Sequence, residues 1–349
     1  MRSTVYFSPV TGKDHAAVSS AARRLLETLL EQEDVTLENK VPLKVHFGEK
    51  GNVTYIKPQM YDGIIDLLEE KGTECCFMET NVLYTGERTT RERHTKLARE
   101  HGFTRLPVVI ADGERGEDYT EVEINKKHFR TCKIAKAYGD YGQLFILAHF
   151  KGHMMAGYGG VIKQMAMGCA SRGGKLAQHL NSKPFIIPFW CNQCNSCEEK
   201  CPAGAITIGR WSSIDRSKCI GCAACTAVCQ TKAVQINLLS MIASLLGNSF
   251  TERVAEYAYA AQKGKKNIYM NFAIDITSQC DCVGSKMDPI IGDIGVFAST
   301  DPVAIDQACC DKLKEAGKKF THKRLLEYAQ KLGLGSRDYE LVEVRGDTA

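Results

Sequence analysis

Two cysteine runs with the same spacing limit what this chain can fold into more than any other feature of its sequence. Cys191, Cys194, Cys197 and Cys201 follow the pattern C-x2-C-x2-C-x3-C, with Pro202 next, and Cys219, Cys222, Cys225 and Cys229 repeat it. A shift of 28 residues superposes all four cysteines and also aligns Ala205 with Ala233, Ile206 with Val234 and Ile208 with Ile236. The two runs are therefore an internal duplication. Three thiolates on a tight loop can hold three iron corners of a cube, and a remote cysteine closes the fourth. By that logic Cys191, Cys194, Cys197 and Cys229 hold one 4Fe-4S cluster, and Cys219, Cys222, Cys225 and Cys201 hold the other. Gly221, Ala223 and Ala224 are small enough for backbone to approach a cluster and turn its N–H groups towards sulfur.

Eight thiolates could instead make two structural zinc sites of four cysteines each. Zinc ribbons seldom use three cysteines at consecutive x2 intervals with a fourth followed by proline, so iron is the expected metal. Residues 184–240 resemble the bacterial two-cluster ferredoxins, a small α+β module. Gln230 departs from that family, which often has proline there, but the ligand Cys229 is present.

The cysteine count fits the same reading. Sixteen are present, which in a short secreted chain would suggest a disulfide framework, but 349 residues and two regular runs point to metal ligation in a reducing compartment. The N-terminal residues lack the charged start and apolar run of a secretory leader, and nowhere do 18 apolar residues run together. These features predict a cytoplasmic protein with no membrane insertion. A net charge of +4 is small beside 45 basic and 41 acidic residues and gives no reason to expect nucleic acid as a partner.

Outside the module the pattern alternates. Strands are expected at Ser3 to Ser8, Pro42 to Phe47, Cys75 to Glu79 and Gln143 to His149, with helices at His15 to Glu31, Lys57 to Glu70 and Arg91 to His101. After the cysteine runs come a long helix around Leu238 to Gln262, strands at Asn267 to Ile276 and Gly295 to Ala298, and helices at Val303 to Ala316 and His322 to Leu332. Strands alternating with helices predict an α/β fold with a mostly parallel sheet. It is built from residues 1–183 and 241–349 and interrupted by the ferredoxin-like insertion at 184–240.

Two stretches of the larger domain carry further chemistry. Residues 152–171 are too glycine-rich for a plain core helix and read as a site loop. Gly157, Gly159 and Gly160 would permit close backbone approach to a cofactor, and Lys163 would meet an anion or form a covalent adduct. A loop under the sheet with a surface lysine is the plain alternative. Cys280-Asp281-Cys282 follows an apolar run where a strand should end, which is where sites gather in such sheets. With His46, Glu49, His149, His153 and Cys169 it could complete a third metal site, drawn chiefly from Cys280, Cys282, His46 and His153. Buried structural thiols and satisfied histidines are the alternative. Cys75-Cys76 and Cys309-Cys310 read as small buried hydrophobes. Asp301 reads as a helix N-cap ahead of Pro302, and Asp306 either faces the site or is a solvated acid.

Taken together, His46-Phe47-Gly48-Glu49, His153 to Ser171, Cys280-Asp281-Cys282 and Asp301 to Asp306 resemble domain-of-unknown-function family 362. That resemblance implies a larger α/β domain, often accompanied by a two-cluster module, with no settled reaction. His153, Gly159-Gly160 and Lys163 are also similar to the site motif of the nickel-pincer lactate racemases. This second resemblance implies that Lys163 anchors an organic or organometallic cofactor and that His153 is the acid/base. No flavin or nicotinamide fingerprint follows an expected strand. The leading expectation is an iron-sulfur redox protein that exchanges electrons between a partner protein and a site on the α/β domain. An enzyme with its own site at His153, Lys163, Cys280 and Cys282, and a metal or cluster delivery factor, are the alternatives.

Overall fold

The computed structural model describes residues 2–10, 14–84, 86–180, 183–236, 249–321 and 323–345. Its frame is an eight-stranded sheet. In chain order the strands are β1 (Ser3–Pro9), β2 (Lys40–Lys44), β3 (Glu74–Glu79), β4 (Val108–Ile110), β7 (Phe145–His149), β14 (Ile268–Ala273), β15 (Gly295–Ser299) and β16 (Tyr339–Glu343). A hairpin of β5 (Tyr119–Glu123) and β6 (Thr131–Ala135) and another of β8 (Lys151–His153) and β9 (Gly157–Gly159) lie outside it. So do the short strands of the cysteine module, β10 (Phe185–Ile186), β11 (Ile206–Thr207), β12 (Ser213–Ile214) and β13 (Val234–Gln235). The spatial order is β16-β1-β15-β14-β7-β2-β3-β4. All neighbours pair in parallel except β15, which runs antiparallel to both β1 and β14.

The central strands are buried along their whole length, which is why they read as apolar runs rather than alternating ones. Their side chains still divide by the two-residue period of a strand. Phe145 and Leu147 of β7, with Ile268, Met270 and Phe272 of β14, face one core. Ile146, Ala148, Tyr269 and Ala273 face the other.

Helix α1 (His15–Gln32) covers the first face with Val18, Ala22, Leu25 and Leu29, the spacing of one helical stripe. Asp14 caps it by accepting N–H bonds from Ala16 and Ala17. Helix α2 (Asp62–Glu70) joins it there through Ile64, Ile65 and Leu68, and α3 (Arg91–Glu100) adds Ala98. Helix α4 (Val161–Gly168) and the helices Ser249–Gln262, Pro302–Glu315 and Lys323–Lys331 cover the second face. The chain is thus an α/β fold with a mostly parallel sheet between helical layers.

Most expected elements stand within a few residues of their places. The strand expected at Pro42 to Phe47 pairs only over Lys40–Lys44, so His46 lies on the loop beyond it. The segment from Lys57 enters its helix through a 3-10 turn at Pro58–Tyr61, and Asp301 caps its helix as anticipated. Of the helix expected from Leu238, residues 237–248 lie outside the described residues, as does the module boundary at 240; the described part is Ser249–Gln262. Among the described residues no helix is long and apolar enough to cross a membrane.

The glycine-rich stretch 152–171 requires correction. It is not a loop: the β8–β9 hairpin leads into α4, followed from Arg172 by α5 (Arg172–Leu180). Asp306 supplies what the local sequence lacks. Its carboxylate, fully buried rather than solvated, accepts from Val161 N at 2.9 Å, Ile162 N at 3.2 Å, Tyr158 Oη at 3.0 Å and Asn271 Nδ2 at 2.8 Å. An anion thus sits at the α4 N-terminus, but it is the protein's own.

The close approaches that the glycines permit are also made within the chain. A Cβ on Gly160 would overlap the Asp306 carboxylate, and one on Gly157, at φ +82°, would overlap the Thr321 carbonyl. Gly159 would make an ordinary contact with Lys163. The expectation that Gly157 and Gly160 make room for a cofactor is therefore replaced by internal packing. Gly160→Ala should cost about 1–3 kcal/mol in a urea melt by displacing that cap.

Candidate functional site

The parallel strands β2, β3, β7 and β14 all deliver their next residues to one edge, the carboxyl edge where open α/β sheets place their sites. From β2 comes His46, from β3 the segment Thr80 to Arg88, from β7 the hairpin ending at His153, and from β14 the Cys280–Val283 turn. Val283 N donates to Cys280 O at 3.0 Å, closing that turn. Asp281 fixes it from below. Its buried carboxylate accepts from Lys151 Nζ at 2.8 Å and His149 Nδ1 at 3.0 Å. His149 Nε2 in turn faces Ile274 O at 2.9 Å. Burial alone would raise the Asp281 carboxyl, but His149 and Lys151 override it and hold the group far below its ordinary range.

With Asp281 turned inwards, Cys280 and Cys282 face a cavity of about 250 Å³ lined also by Tyr84, His153, Lys163 and His179. Cys280 donates its thiol hydrogen to Cys282, and this bond, opposed by burial and reinforced by His46 and Arg88, keeps Cys282 well below an ordinary thiol. The same bond, with burial, pushes Cys280 up. The two sulfurs are thus shifted in opposite directions, Cys282 towards the thiolate and Cys280 towards the thiol. His46 Nε2 and Arg88 Nη2 each lie 3.4 Å from Cys282 Sγ. Arg88 also bonds Tyr84 Oη, Glu49 at 3.4 Å and Glu79 at 3.5 Å, and Glu79 pairs with Lys44 at 3.0 Å.

The histidines speak against the expected third metal site. Gly48 N donates to His46 Nδ1 at 3.0 Å, and Met155 N and Ala156 N donate to His153 Nδ1 at 3.3 and 3.0 Å. In a neutral ring the proton then sits on Nε2, so neither histidine offers a lone pair to the cavity. Glu49 and His149 are held by Arg88 and Asp281. Cys169 is buried, and burial raises its thiol to about 12.

Burial, with Lys163 nearby, drives His153 down to about 2, so its ring is neutral. Burial lowers Lys163, but Cys280, Cys282 and Asp281 outweigh it and raise it. Lys163 is an ammonium here, a state suited to charge pairing more than to nucleophilic attack.

On the far side of α5 lies the cysteine module. Its two loops share a backbone conformation at the offset of the sequence repeat. Gln193 and Asn195 have φ of 57° and 59°, and Gly221 and Ala223 have 75° and 56°. Gly204 and Lys232, at 54° and 57°, are the third such pair. Left-handed residues between right-handed ones turn successive N–H groups inwards as an anion-binding nest. Ala205 N and Val234 N donate to Cys201 Sγ at 3.3 Å and Cys229 Sγ at 3.4 Å.

The thiols of both runs influence one another. Burial raises Cys197, with Cys229 and Cys191 adding to it. Burial raises Cys222 with help from Cys201 and Cys219, and raises Cys225 to about 12 with Cys222, Cys219, Cys197 and Cys201 adding. Among the described residues no three His, Cys, Asp or Glu side chains close round a single ion. A four-iron cube holds its thiolates farther apart than one ion does.

Beside Cys222 and Cys225, the buried Nε and Nη2 of Arg172 have no hydrogen-bond partner among the described residues. An anionic cluster would satisfy them. The cysteine donor set fits iron-sulfur ligation. Helix α5 joins this region to the cavity. Near its start Gly173 meets Ile220 O, which a Cβ would approach to 2.6 Å, and further along Lys175 and His179 line the cavity.

The sequence matches the family described as "Domain of unknown function (DUF362)" over residues 41–311, well over half of the chain. The chain belongs to the DUF362 family. The resemblance drawn from His46 to Glu49, His153 to Ser171, Cys280 to Cys282 and Asp301 to Asp306 is borne out.

A Methanosarcina acetivorans protein, a component of an ion-translocating oxidoreductase complex, is 45% identical over 52 residues, 15% of this chain. The DUF362 chain spans 20% of that relative's length. The lactate racemase apoprotein from Thermoanaerobacterium thermosaccharolyticum superposes with a TM-score of 0.46 at 15% identity, covering 90% of this chain and 58% of that one.

Sequence reasoning missed Lys44, Glu79, Tyr84, Arg88, Arg172, Lys175 and His179. Arg172 alone had a signal, as a cation directly after the Gly168-Cys169-Ala170-Ser171 segment.

Proposed function

We propose that this DUF362 protein is an iron-sulfur redox protein that binds two 4Fe-4S clusters and exchanges electrons between a partner protein and the Cys280–Cys282 cavity. The observation that carries the reading is the paired left-handed backbone at 193/221, 195/223 and 204/232, which presents two equivalent anion nests to the thiols of both runs. Cys191, Cys194, Cys197 and Cys229 would hold one cluster, and Cys219, Cys222, Cys225 and Cys201 the other. When bound, such clusters supply one-electron transfer.

The chain's own residues define two ends. Cys194 is exposed, and Phe189, Trp190 and Trp211 stand open beside Cys191, whose Sγ is 3.4 Å from Ser212 Oγ. That face suits contact with a redox partner. At the other end Arg172 and Gly173 hold the second loop against α5, one helix away from the cavity. The short likeness to a component of an oxidoreductase complex supports an electron-transfer role.

The cavity favours an enzyme over a plain carrier, because a thiolate, an ammonium at Lys163 and the neutral His153 converge there. Anaerobically purified wild type, Cys194→Ser and Cys222→Ser test the reading. Each variant should lose about half the iron and about half of the absorption near 400 nm. Unchanged iron in both would refute the ligand assignment.

A further inference from the structure

The residues above the Cys280–Val283 turn show a chemistry that cluster binding does not require. Cys280 and Cys282 stand at the first and third positions of one turn and face the same cavity, and their mutual influence moves Cys282 down and Cys280 up. His46 Nε2–H and Arg88 stabilise the negative sulfur from the protein side, so its free side faces the cavity. With the histidine lone pairs already engaged, the sulfurs are not part of a metal cage.

Lys163 lines the cavity beside the sulfurs that raise it, and among the described residues its ammonium makes no hydrogen bond and has no carboxylate within ion-pair distance. Lys175, by contrast, bonds Thr80 Oγ1 and Ala170 O. Val82, Leu83, Met155 and Met167 give the wall an apolar stretch, with Lys175 and Gln279 also lining it. The space is sized for a small molecule with an apolar stem and an anionic end.

We propose that Cys280 and Cys282 are a redox-active dithiol, oxidised to an intrachain disulfide by a small anionic disulfide that enters this cavity and pairs with Lys163. The Cys282 thiolate attacks one sulfur of RSSR, the ligand's S–S bond breaks, and RS⁻ leaves from a mixed disulfide at Cys282. Cys280 then gives up its proton and attacks Cys282 Sγ. A Cys280–Cys282 bond forms and the second RS⁻ departs, one of the two leaving groups taking the proton. One thiol, one thiolate and RSSR thus become one disulfide, RSH and RS⁻. Return to the dithiol takes two electrons and one proton, and only this return rests on the electron-transfer reading above.

The experiment exposes the anaerobic full-length protein to dithiodipropionate, 2-hydroxyethyl disulfide or cystamine, which are dianionic, neutral and dicationic. Free thiols are then alkylated and the peptide holding both cysteines is weighed, with iron measured on the same samples. The expected result is a peptide lighter by two hydrogens, formed roughly tenfold faster with the dianion than with the neutral disulfide and slowest with the dication. Lys163→Gln should abolish that ranking, and Cys280→Ser should trap the mixed disulfide on Cys282. If both cysteines are alkylated in every sample while iron is retained, the dithiol proposal is wrong although the cluster reading stands. An unranked reaction in the wild type would overturn the anionic ligand. An iron-free protein that still forms the disulfide would refute the cluster reading and leave this one supported.

Discussion

Stripping the iron from anaerobic protein with a chelator is expected to unfold residues 184–236 while the eight-stranded sheet stays intact. Gln193, Asn195, Ala223 and Lys232 are non-glycine residues held at positive φ. Each left-handed residue of this kind costs roughly 1–2 kcal/mol. Against that strain the module has two-residue strands, the short helices Ser196–Glu199 and Ala224–Val228, and a small core of Ile186, Ile206, Ala233 and Val234 around Cys197 and Cys225. Segments of this size usually need a metal to fold. Hydrogen exchange checks the prediction: amides of 184–236 should lose protection, and those of Phe145–His149 and Ile268–Ala273 should keep it. A module equally protected with and without iron would show that the backbone strain is offset by something other than the clusters.

Asp281→Ala should be the most damaging single change in the larger domain. It removes the carboxylate that Lys151 and His149 share and leaves the buried Lys151 ammonium without its counter-charge, a loss of about 3–5 kcal/mol. The midpoint of urea unfolding should fall accordingly. The effect has a pH signature. The folded-state pKa of Asp281 is depressed, so its contribution is complete above the unfolded carboxyl pKa of about 3.9 and is lost as pH falls through the depressed value. The gap between wild type and variant should therefore be widest near neutral pH and shrink below about pH 4. A gap that does not change with pH would show that Asp281 acts by shape alone.

These two features differ in how openly the sequence announces them. The duplication of the cysteine runs was legible because their spacing is local, and the same left-handed positions recur at the 28-residue offset. The buried strands β7 and β14 were legible because parallel strands covered on both faces are apolar throughout. The antiparallel direction of β15 was not, since strand direction depends on a distant partner and leaves no local trace. Helix α4 was hidden by its glycines, because its cap is Asp306, 145 residues from Val161.

The cavity was half legible. Cys280-Asp281-Cys282, His153 and Lys163 stood out as residue types in motifs, and the structure brings them to one wall. What the sequence could not show is that backbone N–H groups of Gly48, Met155 and Ala156 engage the Nδ1 lone pairs of His46 and His153, because only the folded chain reveals such bonds. Arg88 and Tyr84 lie in an irregular segment after β3, where no periodicity marks a buried cation that stabilises a thiolate.

Mössbauer spectroscopy of iron-57-enriched protein that has never met air tests the central claim most directly. Two diamagnetic 4Fe-4S clusters per chain, both retained when Asp281 is replaced, are the predicted result. Protein that is colourless and carries zinc at its cysteines would contradict the account.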